Sequence, residues 1–243
     1  MNPSEILNWL ITFEPTWLTA VPTMLQALLT EATNNPGKMS QLNLRFIRAC
    51  SSALSPVVAQ KLEDTFHIPV LEAYGMTEAS HQIAVNPQSP ACHKFGSVGI
   101  AYGDEVAILD AGGEILPANT PGEISIRGAN VMGGYEANPI ANQAAFTNGW
   151  LRTGDLGLID EDGYIYIQGR VKEIINKGGE KISPREVDDV LLSHPAISQA
   201  VDLLVEKGLL TRQQSEDDRR FVRLELTDSG CGLLNAIHEE NRA

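Results

Sequence analysis

The sequence predicts an α/β protein: a parallel-sheet subdomain, a β-rich layer after it, and a tail of helix, β-hairpin and helix. Three observations carry this. Apolar runs at 44–49 and 68–73 flank an amphipathic segment opening at Ser55-Pro56, which reads as strand, helix, strand. Period-two alternation at 106–110 and 123–127 marks strands with one buried face. Beyond residue 196 the pattern becomes helical, then hairpin-like, then helical again.

The first helix is expected from Pro22 to Glu31, with Leu25, Leu28 and Leu29 at helical spacing and Asn34-Asn35-Pro36-Gly37 ending it. Leu44 to Ala49 follows as a short buried strand. Ser55 stands at the cap of the next helix with Pro56 in its first position, and Val58, Leu62 and Phe66 share one face. Ile68 to Ala73 is the second strand. A strand–helix–strand unit implies a parallel crossover, whose ligand site lies where the strands end, here Tyr74 to Ser80. Asp160-Glu161-Asp162-Gly163 is a turn between two strands of the β-rich layer. Ser183, Pro184 and Glu186 form a capping box ahead of Val187, Val190 and Leu191. In the tail, Ile197, Val201, Leu204 and Val205 make an amphipathic helix stopped by Gly208; a hairpin follows, and Thr227 caps a last helix.

Composition narrows the function. The 243 residues include 31 Asp and Glu against 18 Lys and Arg, a net charge of −13, which repels phosphate backbones and argues against a general nucleic-acid coat. Cys50, Cys92 and Cys231 form no CxxC pair and are odd in number, so buried, inert thiols are expected rather than a disulfide framework or zinc site. There is no basic leader and no run of the ~20 apolar residues a membrane span needs. A cytoplasmic protein without a membrane partner is the expectation, and the sequence leaves its oligomeric state open.

Chemistry gathers in three motifs. Ala73-Tyr74-Gly75-Met76-Thr77-Glu78 offers an aromatic face for a base, a hydroxyl for a phosphate oxygen and a carboxylate for a phosphate-bridging Mg²⁺. Gly149-Trp150-Leu151-Arg152-Thr153-Gly154-Asp155 adds a carboxylate in a glycine-bounded loop, of the type that accepts two hydrogen bonds from a ribose diol. Gly169-Arg170-Val171-Lys172-Glu173 leads into Asn176 to Pro184, where Gly178 and Gly179 permit close backbone approach. An ordinary turn could carry the first two motifs singly.

Together, YGMTE, GWLRTGD, GRVKE and GGEKISPREV resemble the adenylate-forming acyl-CoA synthetase superfamily from about Trp9 to Ile197. EAYGMTEASHQIAVNP and INKGGEKISP are most similar to the oxalate-type CoA ligases. The resemblance implies that Ser52, Ala53 and Leu54 line adenine, Tyr74 stacks on it, and Thr77 and Glu78 meet phosphate and Mg²⁺. It implies that Asp155 and Arg170 contact ribose, that Lys172 is the hinge of a small C-terminal subdomain, and that Gly178 and Gly179 approach coenzyme A. His81 is a candidate for an anionic acyl substrate. The implied reaction joins a carboxylate to AMP from ATP and passes the acyl group to coenzyme A. The family's Ser/Thr/Gly-rich phosphate loop and its C-terminal lysine are not found in these residues, so an incomplete catalytic set is expected.

The segment ISQAVDLLVEKGLLTRQQSEDDRRFVRLELTDSGCGLL resembles the MarR-type winged-helix regulators. That resemblance implies a recognition helix ending near Leu204 and a wing over Arg212 to Arg223, with Asp218 and Arg220 as its acid–base pair. Arg212, Arg219, Arg220 and Arg223 are the candidate DNA contacts, yet residues 196–243 carry nine acidic and six basic side chains. The expected organisation is 1–169 as part of the adenylate-forming large domain, 170–196 as hinge and start of the C-terminal subdomain, and 197–243 as the winged-helix-like segment. A truncated ligase homologue is the leading reading. A DNA-binding regulator and a non-functional fused fragment are the alternatives.

Overall fold

The computed structural model describes residues 5–88, 92–173, 175–177, 180–182, 203–214 and 222–232. The chain divides into two compact units, Met1–Arg185 and Glu186–Ala243.

The first unit opens with helix α1 (Ile6–Phe13), which the sequence reading missed, and strand β1 (Trp17–Ala20). Helix α2 (Pro22–Asn34) runs three residues past its expected end before Pro36. Strand β2 (Phe46–Ala49), helix α3 (Pro56–Phe66) and strand β3 (Val70–Tyr74) form the expected crossover, with β1, β2 and β3 parallel. Ser55 occupies the cap position of α3, but its side chain makes no cap hydrogen bond; Pro56 begins the helix instead. Two short antiparallel strands, β4 (Ala84–Val85) and β5 (Ile100–Ala101), complete this sheet in the order β1-β2-β3-β4-β5.

The alternating residues of β1, β2 and β3 sort onto two faces. Ala20, Ile47, Ala49 and Val70 pack with Leu7, Leu10, Leu25, Leu28 and Leu62 of the three helices in one apolar cluster. On the other face Trp17 stacks on Phe46 with ring centroids 6.0 Å apart and is 50% exposed.

The β-rich layer is a second sheet with antiparallel neighbours, ordered β10 (Ile165–Arg170), β9 (Trp150–Ile159), β7 (Gly122–Arg127), β6 (Glu105–Leu109). Strand β8 (Phe146–Thr147) pairs with β9 and follows helix α4 (Pro139–Ala145). The turn expected at 160–163 joins β9 to β10. Asp160 accepts hydrogen bonds there from the amides of Asp162 and Tyr164, and Gly163 supplies a φ of 85°. The GWLRTGD segment is not a loop but most of β9, because Leu151 and Asp155 belong to the buried face of a central strand.

A hairpin of β11 (Ile175–Lys177) and β12 (Glu180–Ile182) ends the described part of this unit. Gly178, Gly179 and the capping box at 183–186 lie outside the described residues.

In the second unit, Gly208 has a φ of 68° and ends the helical turn at 203–206, as expected. Strands β13 (Leu210–Gln214) and β14 (Val222–Leu226) form the expected antiparallel hairpin, with Arg212 opposite Leu224 and Arg223 opposite Gln213. The Thr227 hydroxyl accepts the Gly230 amide at 3.0 Å, the expected cap. Arg219 and Arg220 lie outside the described residues. The cysteines correct the sequence reading: Cys92 and Cys231 are exposed and Cys50 is half-buried, because all three fall in connecting segments or on an outer helical turn. Among the described residues, no helix is long and apolar enough to cross a membrane.

Candidate functional site

The candidate site sits where β3 ends and meets β9. After Tyr74 the chain turns through a 3₁₀ segment, Thr77–Ala79, closed by the amides of Ala79 and His81 donating to the Met76 carbonyl. Gly75 is required here. A Cβ on it would stand 1.9 Å from the His81 carbonyl oxygen, so only glycine lets the two backbones approach. Ser80 and His81 both take positive φ, which sharpens the return. Thr77 and His81 are exposed; Glu78 is half-buried.

A second loop clamps this one. Asn130 donates to the carbonyls of Ala79 and Gln82, and the Ser80 hydroxyl donates to the Asn130 carbonyl. The Met132 amide donates to the Glu78 carbonyl, and the Tyr135 hydroxyl reaches Glu78 Oε1 at 3.0 Å. Burial and the Glu78 carboxylate raise the Tyr135 hydroxyl above its ordinary value, so it remains a donor.

Asp155, on β9, is the buried carboxylate of the site. It is 7% exposed, and its two oxygens have different partners: the Tyr74 hydroxyl donates to Oδ2 at 2.5 Å, and Arg170 Nε lies 3.1 Å from Oδ1. Its amide donates to Thr153 Oγ1, whose hydroxyl donates to the Ile124 carbonyl, so the backbone at this point is fixed from β7. Burial, and then the Asp155 charge, hold the Tyr74 hydroxyl above its ordinary 10.0. Tyr74 itself is only 9% exposed among Ile83, Ile124 and Leu151, and its hydroxyl holds Asp155.

The structure thus joins Tyr74, Asp155 and Arg170 directly and places Thr77, Glu78 and His81 on the adjoining turn. Ser52 and Ala53 are exposed after β2. Leu54, in the same loop, is 1% exposed and belongs to the helix-covered core, so it can offer only backbone there. Lys172 is exposed in the turn after β10, where the Val171 amide donates to the Gly154 carbonyl. Arg152, inside the GWLRTGD motif, is structural: it bonds Glu123, Thr147 and the Asp110 carbonyl. Tyr135, Thr153 and Asn130 were missed because Glu78, the Ile124 carbonyl and the carbonyls of Ala79 and Gln82, which they bond, lie 29 to 57 residues away in sequence, and nothing local marks them.

Residues 1–136 match the family of AMP-binding enzymes. The chain belongs to that family. It is 53% identical over 190 residues to an oxalate–CoA ligase of Arabidopsis thaliana, a stretch of 78% of this chain and 37% of the relative. It is 46% identical over 202 residues to the oxalate–CoA ligase of Saccharomyces cerevisiae, covering 82% and 36%. The chain therefore spans less than two-fifths of the length of these curated relatives. Among solved structures it resembles the o-succinylbenzoate coenzyme A synthetase of Bacillus subtilis in complex with AMP, at 32% identity and a TM-score of 0.70 over 93% of this chain and 44% of that one. ATP-bound MatB of Rhodopseudomonas palustris gives a TM-score of 0.73 at 31% identity, covering 80% and 38%. Residues 173–220 match the MarR family, upstream of and overlapping the tail that the sequence set apart.

Proposed function

We propose that this AMP-binding segment serves an acyl-CoA ligase reaction, supplying its ribose contacts and part of its phosphate contacts. The observation that carries the reading is the buried Asp155, oriented by Arg170 and by Tyr74, the residue from which the chain enters the Thr77–Ala79 turn. A fixed carboxylate accepts two hydroxyl donors of a diol, and an adjacent guanidinium neutralises it. Thr77 donates to a phosphate oxygen. Ser52 and Ala53 line the base, and Leu54 contributes backbone there.

A Mg²⁺ ion is implied by the family. Magnesium usually takes one or two protein carboxylates and completes its shell with phosphate and water. Glu78 fits that demand, since Tyr135 engages Oε1 and leaves Oε2 for the ion. The ion would draw charge from the phosphates. Lys172 would act as hinge, and Gly178 and Gly179 would meet coenzyme A.

The acyl substrate in this proposal is a small acid carrying a second anionic group. Several of the matched relatives are named for oxalate, sulfoacetate or 2-succinylbenzoate, and each of those acids has two acidic groups. His81, exposed beside the turn, is a candidate contact. The domain limits proposed are 1–169, 170–196 and 197–243.

Calorimetric titration with AMP tests the reading. Asp155→Ala should weaken AMP binding by about 1.5–3 kcal/mol, the contribution of a charged hydrogen bond. Equal affinity in the variant removes Asp155 from the site. Carboxylate-dependent ATP–pyrophosphate exchange by these 243 residues alone should be absent, and turnover with oxalate would overturn that part.

The MarR match and the β13–β14 hairpin favour a second reading, contact with DNA. Arg212, Arg219, Arg220 and Arg223 stand close in sequence to Glu216, Asp217 and Asp218. The expected result is at most weak association that disappears with added salt. Tight, salt-resistant binding to one duplex, lost in Arg220→Ala, would make the regulator reading the better one.

A further inference from the structure

Two polar atoms on the less covered face of the first sheet are buried and have no hydrogen-bond partner among the described residues: Arg48 Nε and Thr19 Oγ1. They belong together. Thr19 on β1 and Arg48 on β2 are register partners in the parallel ladder, and both point away from the helix-covered core. A guanidinium Nε is a donor only, so it needs an acceptor; a threonine hydroxyl can donate to that same acceptor. Leaving both unmade costs free energy that packing does not recover.

The position is informative. Arg48 lies at the C-terminal end of β2, four residues before Ser52, where ligands of parallel sheets bind. Its one described hydrogen bond runs from Nη2 to Oε1 of Gln82 at 3.2 Å. Gln82 follows His81 directly, and its carbonyl is held by Asn130, so the guanidinium touches the same turn that carries Thr77 and Glu78. An amide oxygen is a neutral stand-in for a carboxylate oxygen. Arg48 and Gln82 are each half-buried, so the side chain of Gln82 can swing away without opening the core.

We propose that Arg48, assisted by the Thr19 hydroxyl, binds the second anionic group of the acyl substrate, and that Gln82 Oε1 holds that acceptor position until the acid displaces it. This assignment rests on the diacid reading above and gives it a residue. A planar carboxylate or a sulfonate matches the Nε–Nη edge of a guanidinium, which explains why an arginine would be placed here rather than a lysine. An acid with a single carboxylate would give Arg48 nothing once that group faces the nucleotide.

The experiment titrates oxalate, sulfoacetate and acetate into the 243-residue chain by calorimetry, with and without AMP. The expected pattern has opposite signs. Arg48→Gln weakens oxalate and sulfoacetate by about 10-fold or more, the effect of one charge-assisted hydrogen bond. Gln82→Glu weakens them similarly by occupying Arg48 with a fixed carboxylate, whereas Gln82→Ala leaves them as tight or tighter. Thr19→Val gives a smaller loss in the same direction, and acetate is insensitive to all four. A merely structural arginine would not make the two Gln82 variants diverge.

Oxalate affinity unchanged in Arg48→Gln, parallel effects of the two Gln82 variants, or no oxalate binding by the wild-type chain at millimolar concentration would each overturn the proposal. If Arg48→Gln fails to fold by circular dichroism, the Gln82 pair decides. The AMP titration reports separately on the nucleotide reading: loss of AMP binding with the oxalate pattern intact sinks that reading and leaves this one standing.

Discussion

Asp155 and Asp104 are buried almost equally, 7% and 8% exposed, and both belong to the β-rich part of the first unit, yet they live in opposite circumstances. Asp155 has a donor for each oxygen, Tyr74 for one and Arg170 for the other. Asp104, just before β6, has none for either oxygen among the described residues. It lies against Gly128, at the foot of the loop that holds the Thr77–Ala79 turn: a Cβ on Gly128 would stand 1.9 Å from Asp104 Oδ1. The contrast shows that burial alone does not decide a carboxylate's circumstances. Its partners do.

The largest effect expected from breaking this contrast is at Tyr74. Tyr74→Phe strips Asp155 Oδ2 of its buried donor while keeping the ring, and should cost about 2–3 kcal/mol of folding stability, read by urea denaturation. A loss below ~0.5 kcal/mol would mean that water already serves that oxygen.

Next comes Gly128→Ala, which drives a methyl group into the Asp104 carboxylate and should destabilise by about 1–3 kcal/mol. The same substitution in an Asp104→Ala background should cost much less. A double-mutant cycle with no coupling would place the strain elsewhere.

The smallest effect, and the one of opposite sign, is Asp104→Asn, expected to stabilise by about 1 kcal/mol at neutral pH. Desolvation raises the folded-state carboxyl above its ordinary 3.8, so folding favours the protonated form. Its stabilising contribution is full below the ordinary value and is lost as pH rises through the raised one. The advantage of Asp104→Asn over wild type should therefore open with rising pH and close in acid, measured as the difference in melting temperature. A constant difference across pH would show that ionisation of Asp104 is not its source.

The sequence made the order of the main elements legible, because Leu25, Leu28 and Leu29, the Ser55-Pro56 start and the 106–110 and 123–127 alternation are local signals. It also pointed to Gly75, Thr77, Glu78 and Asp155 by motif. It misread GWLRTGD as a loop, since two glycines look like punctuation until β7 and β10 pair on either side of that strand. It missed α1 and β1, whose Trp9, Phe13 and Trp17 are exposed apolar residues that no burial pattern explains.

What the sequence determined by itself is therefore a set of parts: the segments that became α2, β2, α3, β3, β6 and β7, the glycines of the motifs, and the carboxylates and arginines available. Those follow from neighbours within a few positions, where periodicity and φ preference act. Only the tertiary structure decided which of these groups meet. Tyr74 and Asp155 stand 81 residues apart in sequence and 2.5 Å apart in space. Arg48 reaches Gln82 across 34 residues, and Asp104 has no donor among the described residues. The reason is physical: a hydrogen bond acts over about 3 Å, and which distant groups come within that range is fixed by how the two sheets pair and pack.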